Sequence, residues 1–276
     1  MNYVFVACAL VGGASGCFAN PAADRYLGKT PPEAERTVFL PAVTERIAIS
    51  RDGHEIYFNG HNGSLAWYRF DGERWTGPRA LFPDAAAAAL SPDERTLYFQ
   101  NAAGALFRSA RTATGWAAPE PFAKAATGRL HYLQVTNDGG MFATAMAQPG
   151  VQGQIGRLEH SPTGDAVVSF GAPVNSADNG VDFFIARDGS YLVFVNHPGG
   201  NGDLNICFRQ EDGGWSEPRN LGPTVNGANS WEWGPFVTSD NKYLFYTSGT
   251  SAGDSAVYWI RFDTLLAQLR PHPPGR

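Results

Sequence analysis

Ser50-Arg51-Asp52-Gly53 leads into Glu55-Ile56-Tyr57-Phe58, and the same phrase returns four times along the chain. Ser91-Pro92-Asp93-Glu94 precedes Thr96-Leu97-Tyr98-Phe99. Thr136-Asn137-Asp138-Gly139 precedes Met141-Phe142. Ala186-Arg187-Asp188-Gly189 precedes Tyr191-Leu192-Val193-Phe194, and Thr238-Ser239-Asp240-Asn241 precedes Tyr243-Leu244-Phe245-Tyr246. Each unit is a small residue, any residue, Asp, a turn residue and then an apolar strand. The chemistry is that of a hairpin: Asp accepts backbone N–H bonds, and Gly or Asn tolerates positive φ.

The aspartates stand at 52, 93, 138, 188 and 240, separated by 41, 45, 50 and 52 residues. A period near 40–50 residues suits one four-stranded β-propeller blade. A second mark recurs within it: Trp75-Thr76-Gly77-Pro78, Trp116-Ala117-Ala118-Pro119 and Trp215-Ser216-Glu217-Pro218. Proline is tolerated on edge strands and not on central ones. Trp-x-x-Pro therefore reads as the outermost strand of a blade, its Trp packed between blades. A third strand lies between the marks, as in Leu65–Phe70, Ala105–Arg108, Leu204–Arg209 and Ala256–Phe262. The fold expected is all-β, a single propeller of about five four-stranded blades.

Counting strands predicts how the ring closes. The last repeat has inner, second and third strands, then a short helix-like run from Leu265 to Arg270, and no fourth strand. Thr37-Val38-Phe39-Leu40-Pro41 stands alone before the first inner strand and is expected to complete the last blade. This would remove an open sheet edge, which otherwise invites aggregation. The domain reading is residues 1–19 as a signal peptide or lipoprotein signal, 20–36 as an N-terminal extension, 37–271 as the propeller and 272–276 as a tail.

Composition agrees. Only 17% of residues are charged, while 32 Gly and 19 Pro favour many short strands joined by turns. The net charge of −5 and the lack of any Lys/Arg run argue against nucleic acid as a partner. The apolar stretch from Val4 to Gly16 is too short to span a bilayer and suits a secretory h-region, although Met1-Asn2-Tyr3 carries no Lys or Arg. Ala14-Ser15-Gly16-Cys17 resembles a lipobox, which would lipidate Cys17. Cys17-Phe18-Ala19 alternatively resembles a signal peptidase site. Export to the periplasm or cell envelope is expected, with membrane attachment only through such a lipid anchor. Cys207 is the single thiol of the body and reads as a small buried apolar residue.

At this point several stretches resemble a bacterial family of exported TolB-like, WD-repeat-like propellers. Tyr26-Leu27-Gly28-Lys29-Thr30-Pro31-Pro32 with Thr37-Val38-Phe39 is similar to its opening. Asp182 to Phe194, Asp203 to Pro223, Lys242 to Ser248 and Val257-Tyr258-Trp259 are similar to its last two blades. The likeness covers most of residues 26–270 and is thin between 83 and 178, where Ala85 to Ala89 replaces a more varied inner strand. It implies a propeller of the cell envelope and no single chemistry.

Propeller ligands meet the central channel, so polar residues opening the inner strands are the candidates. These are Glu45 and Arg46, Arg129 and His131, Asp182, and Trp231, Glu232 and Trp233. Glu45, Asp182 and Glu232 resemble, in type only, the carboxylate sets of glycoside hydrolases. Arg46, Arg129, His131, Trp231 and Trp233 are candidate ligand contacts, and the two Trp rings could stack on a sugar. The competing reading has these groups fill the pore with ion pairs and hydrogen bonds.

Other signals are weaker. His61 and His197 follow second strands and could rim the channel, but no His-x-x-x-His spacing supports a metal with His131. Asp203 and Asp254 lack an Asp-x-Asp-x-Asp loop for calcium. No Gly-x-Ser-x-Gly elbow and no Lys-Ser/Thr after Pro198-Gly199-Gly200-Asn201-Gly202 is present. No metal and no cofactor is expected. The sequence reads as a monomeric, non-catalytic binding module for a protein, peptide or glycan. The alternative is a glycan-active hydrolase or lyase using Glu45, Asp182 and Glu232.

Overall fold

The computed structural model describes residues 24–41, 46–60, 63–147, 153–176, 179–197, 202–250 and 254–271. Cys17 and Glu45 lie outside them, as does the apolar N-terminal stretch. Five four-stranded antiparallel sheets form the ring of a β-propeller. The first blade is β2 (Ala48–Ile49), β3 (Glu55–Asn59), β4 (Ser64–Phe70) and β5 (Trp75–Pro83). The second is β6 (Ala86–Leu90), β7 (Thr96–Gln100), β8 (Leu106–Ala110) and β9 (Glu120–Ala123). The third is β10 (Arg129–Val135), β11 (Met141–Met146), β12 (Gln154–Glu159) and β13 (Ala166–Ser169). The fourth is β14 (Asn179–Ile185), β15 (Tyr191–Asn196), β16 (Asp203–Phe208) and β17 (Arg219–Asn220). The fifth is β18 (Trp231–Val237), β19 (Tyr243–Gly249), β20 (Ala256–Arg261) and, on its outer edge, β1 (Thr37–Pro41).

The fifth blade closes as strand counting predicted. β1 pairs antiparallel with β20, Thr37 opposite Trp259 and Pro41 opposite Ala256. Phe39 is fully buried, its ring 4.9 Å from Phe245 and 5.2 Å from Trp259. Burying one such ring contributes about 1.5–3 kcal/mol. The segment before β1 adds a second tie. Tyr26 packs on Tyr243 and Trp259, both at 5.7 Å, and its N–H donates to the Gly53 carbonyl at 3.1 Å. Residues of one short segment thus hold the fifth blade and the first blade's turn together. Burial, with Asp240 nearby, pushes the Tyr26 hydroxyl up to about 12.

The repeated turn works through a hydroxyl as well as the aspartate. Ser50, Ser91, Thr136 and Thr238 donate to Asp52, Asp93, Asp138 and Asp240 at 2.6, 2.6, 2.6 and 2.7 Å. Each of these carboxylates also accepts the amide two residues on, from His54, Arg95, Gly140 and Lys242, at 3.0–3.1 Å. In the fourth blade Ala186 supplies no hydroxyl, and among the described residues Asp188 accepts only the Ser190 amide, at 3.0 Å. The Ser91 and Thr136 hydroxyls hold the Asp93 and Asp138 carboxyls below the usual range.

Trp-x-x-Pro behaves as expected in the first blade, where β5 begins at Trp75 and runs through Pro78. In the second and fourth blades the reading needs adjusting. Trp116 and Trp215 form isolated bridges with Arg111 and Arg209, and β9 and β17 begin only after Pro119 and Pro218. Proline has no N–H to give the ladder, so pairing resumes beyond it. The inter-blade role of the Trp stands. Trp116 donates to the Tyr57 hydroxyl of the first blade at 3.2 Å, while Arg111 stacks on it at 4.2 Å. The same Arg111 forks onto Glu55 at 3.0 and 2.8 Å. Trp215 packs 5.3 Å from Phe170, which follows β13. Cys207 is buried in β16, and burial pushes its thiol up to about 12, which leaves it unreactive.

Candidate functional site

The inner strands β2, β6, β10, β14 and β18 surround the axis, and the four last-named carry register shifts against their partners. A bulge leaves residues outside the ladder and turns their peptide groups. At equivalent places within these bulges Ala87, Tyr132 and Gly234 have φ of 53°, 53° and 61°. Their amides are met from the preceding blade. Asn59 Oδ1 accepts Ala87 N–H at 3.2 Å, Gln100 Oε1 accepts Tyr132 N–H at 2.9 Å, and Asp182 Oδ2 accepts Gly234 N–H at 2.8 Å. A Cβ on Gly234 would stand 2.8 Å from the Arg46 nitrogen, so the bulge there requires glycine.

Arg46 occupies the axis. It is fully buried, and its guanidinium donates to the carbonyls of Ala87, Ala88 and Leu133 at 3.2, 3.4 and 3.5 Å, and to Phe183 at 3.5 Å. Its charge lies 4.9 Å over the Tyr132 ring. Three inner strands thus share one cation, and the alanines of β6 leave it room. Below it the channel narrows to a cavity of ≈ 10 Å³ lined by apolar side chains such as Ile49, Val135, Phe184 and Phe236 and by Gln134 and Arg187. That holds one water at most, so the channel is closed along its axis at this level.

One mouth gathers four of the sequence candidates. Asp182, Trp231, Glu232 and Trp233 line a cavity of ≈ 270 Å³ with Tyr132, His197, Val195 and Gly202. Strand alternation on β18 sets the exposure: Trp231 is 50% exposed, Glu232 fully buried and Trp233 half-buried. His197 stands edge-on to Trp231 at 5.8 Å. It is held by close glycine approach: a Cβ on Gly180 would come within 2.9 Å of His197 Nε2.

Glu232 is anchored through one oxygen. Its Oε1 accepts from Ser230 Oγ at 2.6 Å and Ser248 Oγ at 2.8 Å, with Arg36 Nη1 at 3.6 Å. Among the described residues Oε2 has no hydrogen-bond partner. Arg36 lies 4.8 Å over the Tyr258 ring and donates to the Val225 carbonyl at 3.0 Å. Partial burial works against the Arg36 charge, but Tyr246 and Glu232 outweigh it and hold its pKa above the ordinary value.

Arg129 and His131 stand outside the lining of this cavity. His131 Nδ1 lies 3.1 Å from Gln100 Nε2. Because Gln100 Oε1 is taken by Tyr132, its amide nitrogen faces His131 as donor, which assigns the ring proton to Nε2. Burial, and then Arg129, lower the His131 pKa and so favour the neutral ring. Arg36, Tyr132, Ser230 and Ser248 are contributors that sequence reasoning missed. The available signals were Arg36 directly before the closing strand and Ser230 two residues before Glu232.

Both carboxylates here accept hydrogen bonds from the protein itself. Asp182 is 5% exposed and holds a backbone amide, and Glu232 is saturated on one side. The exposed chemistry is the aromatic face of Trp231 beside an acidic floor.

No known family model matches the chain, and no curated protein matches it either. Among solved structures it is similar to TolB from Acinetobacter baumannii, with 14% identity over 78% of this chain and 53% of that one, TM-score 0.51. It is also similar to a putative TolB from Agrobacterium tumefaciens, with 15% identity, 79% and 90% coverage and TM-score 0.47. Kuenenia stuttgartiensis hydrazine synthase matches with 19% identity, 76% and 56% coverage and TM-score 0.48. The chain spans little more than half the length of the hydrazine synthase and Acinetobacter chains, 56% and 53%. At these identities the likeness concerns architecture: it supports a TolB-like β-propeller fold, and the five blades are read from the chain's own sheets.

Proposed function

We propose that the protein is an exported, non-catalytic propeller that binds a protein, peptide or glycan at the mouth framed by β14 and β18. The observation that carries this reading is Trp231, half-exposed beside Trp233 over a cavity of ≈ 270 Å³. Aromatic faces combined with a few fixed polar groups make a recognition surface. The commitment of Asp182 and Glu232 to internal hydrogen bonds supports binding over hydrolysis. Export rests on the apolar segment from Val4 to Gly16.

The test is a glycan and peptide panel read by tryptophan fluorescence, with turnover followed in the same samples. A saturable ligand whose affinity falls at least tenfold in Trp231→Ala, with no product formed, supports the reading. Turnover that disappears in a folded Glu232→Gln variant replaces it with a glycan-active hydrolase or lyase. Fractionation of cells expressing the full chain checks export, and retention in the cytoplasm would remove that part of the proposal.

A further inference from the structure

The opposite mouth of the channel has the reverse chemistry. Arg187, two residues after the end of β14, sends Nη1 to the Leu90 and Val135 carbonyls at 2.9 and 3.2 Å. These are the last residues of β6 and β10. Both bonds use one nitrogen. Nε and Nη2 form the other edge of the guanidinium and have no protein partner among the described residues.

That side chain lines a cavity of ≈ 210 Å³ together with Asn137, Phe184, Asp188, Thr238, Ser239 and Asn241. The wall is rich in donors. Asn241 Oδ1 is taken by the Tyr191 hydroxyl at 2.6 Å, which leaves its NH₂ to face outward. The side chains of Asn137 and Ser239 make no protein hydrogen bond among the described residues. Asp188 Oδ1 accepts the Ser190 amide at 3.0 Å, and its charge is the one acidic group of the lining, which an incoming anion meets beside Arg187. The channel behind is the narrow cavity below Arg46, which Arg187 lines together with Gln134 and which holds about one water, so the cation has little water on its inner side.

We propose that this mouth is a carboxylate-binding site in which the Nε/Nη2 edge of Arg187 grips the anion bidentately and Asn137, Ser239 and Asn241 complete its hydrogen bonds. A guanidinium edge matches a planar carboxylate in spacing and charge. Burial lowers the Arg187 pKa, against Glu94, which favours the charge, and with Arg51, which opposes it. A bound anion would relieve that cost. The site is independent of the Trp231 mouth.

The experiment follows the Arg187 Nε–H resonance of the wild-type chain while succinate, or a tetrapeptide with a free C-terminus, is added at constant ionic strength. The expected result is a saturable shift with at least one of the two, no shift with the amidated peptide, and, by isothermal titration calorimetry of wild type and variants, binding weakened at least tenfold in Arg187→Gln. Succinate alone points to a free metabolite, and the peptide alone points to a chain end. Arg187 also caps two strand ends, so Asn137→Ala is the second variant, expected to weaken binding about threefold with an unchanged melting temperature. Trp231→Ala should leave the titration untouched. No saturable Nε–H shift with either carboxylate, or affinity within twofold of wild type in both variants, overturns the proposal.

Discussion

Asp182 Oδ2 lies 2.8 Å from the amide of Gly234, across the boundary between the fourth and fifth blades. The same relationship joins Asn59 to Ala87 and Gln100 to Tyr132 at earlier boundaries. At each, a side-chain oxygen of one blade holds an inner-strand amide that the next blade's bulge has released. At the two earlier boundaries a neutral amide oxygen meets that need.

Asp182→Asn is therefore expected to keep most of the stability, because an amide oxygen can still accept from Gly234. Asp182→Ala should cost about 1–3 kcal/mol, the range for leaving a buried donor unpaired. Urea unfolding of the two variants beside wild type checks this. Equal losses would show that the Gly234 bond contributes nothing.

The fourth blade's turn can be repaired. Ser50, Ser91, Thr136 and Thr238 each supply a hydroxyl to the turn aspartate, and Ala186 does not. Ala186→Ser should add the missing bond to Asp188 and stabilise the protein by about 1 kcal/mol. Calorimetry would register this as a rise of a few degrees. The reciprocal change, Ser91→Ala, should lower the melting temperature by a similar amount.

Closure of the ring rests on Phe39 more than on any other residue of β1. Phe39→Ala leaves a cavity between Phe245 and Trp259 and should cost about 3–5 kcal/mol. Val38→Ala, at an exposed position of the same strand, should cost little. A thermal melt of both variants separates the two cases, and similar losses would mean that β1 contributes only backbone pairing.

His131 predicts a pH dependence with a definite sign. Its folded pKa lies below 6.5, pushed down by burial and by Arg129. Above 6.5 the ring is neutral whether the chain is folded or not. As pH falls below that value the unfolded chain takes up the proton first, so stability declines until the folded pKa is reached. His131→Gln should flatten that part of the profile. Unfolding free energies at about pH 7.5 and pH 5, spanning the ordinary His pKa, are the measurement, and an unchanged slope in the variant would assign the decline elsewhere.

What could be read from the sequence was what is local. The turn clamp lies within five residues, so Asp52, Asp93, Asp138, Asp188 and Asp240 announced the blades. The closing strand followed from counting, because a blade without a fourth strand needs one. Asp182, Trp231, Glu232 and Trp233 were legible because inner strands open at the mouth. Arg36 was not, because only ring closure brings it to Glu232, which is 196 positions away in the chain. Tyr132 was hidden by a bulge that breaks strand alternation. Arg187 occupied the position of the turn motif where any residue is tolerated, and nothing nearby in sequence shows that the carbonyls of Leu90 and Val135 reach it.

Arg46 also acts as a gauge of ring size. One guanidinium has a fixed reach, and the carbonyls it holds belong to three different blades. Inserting a duplicated repeat would widen the axis and draw those carbonyls out of range, leaving a buried cation unsatisfied. The length of the Arg46 side chain is therefore matched to the width of this five-bladed ring. Transplanting the arginine alone into a wider ring would leave it without enough acceptors.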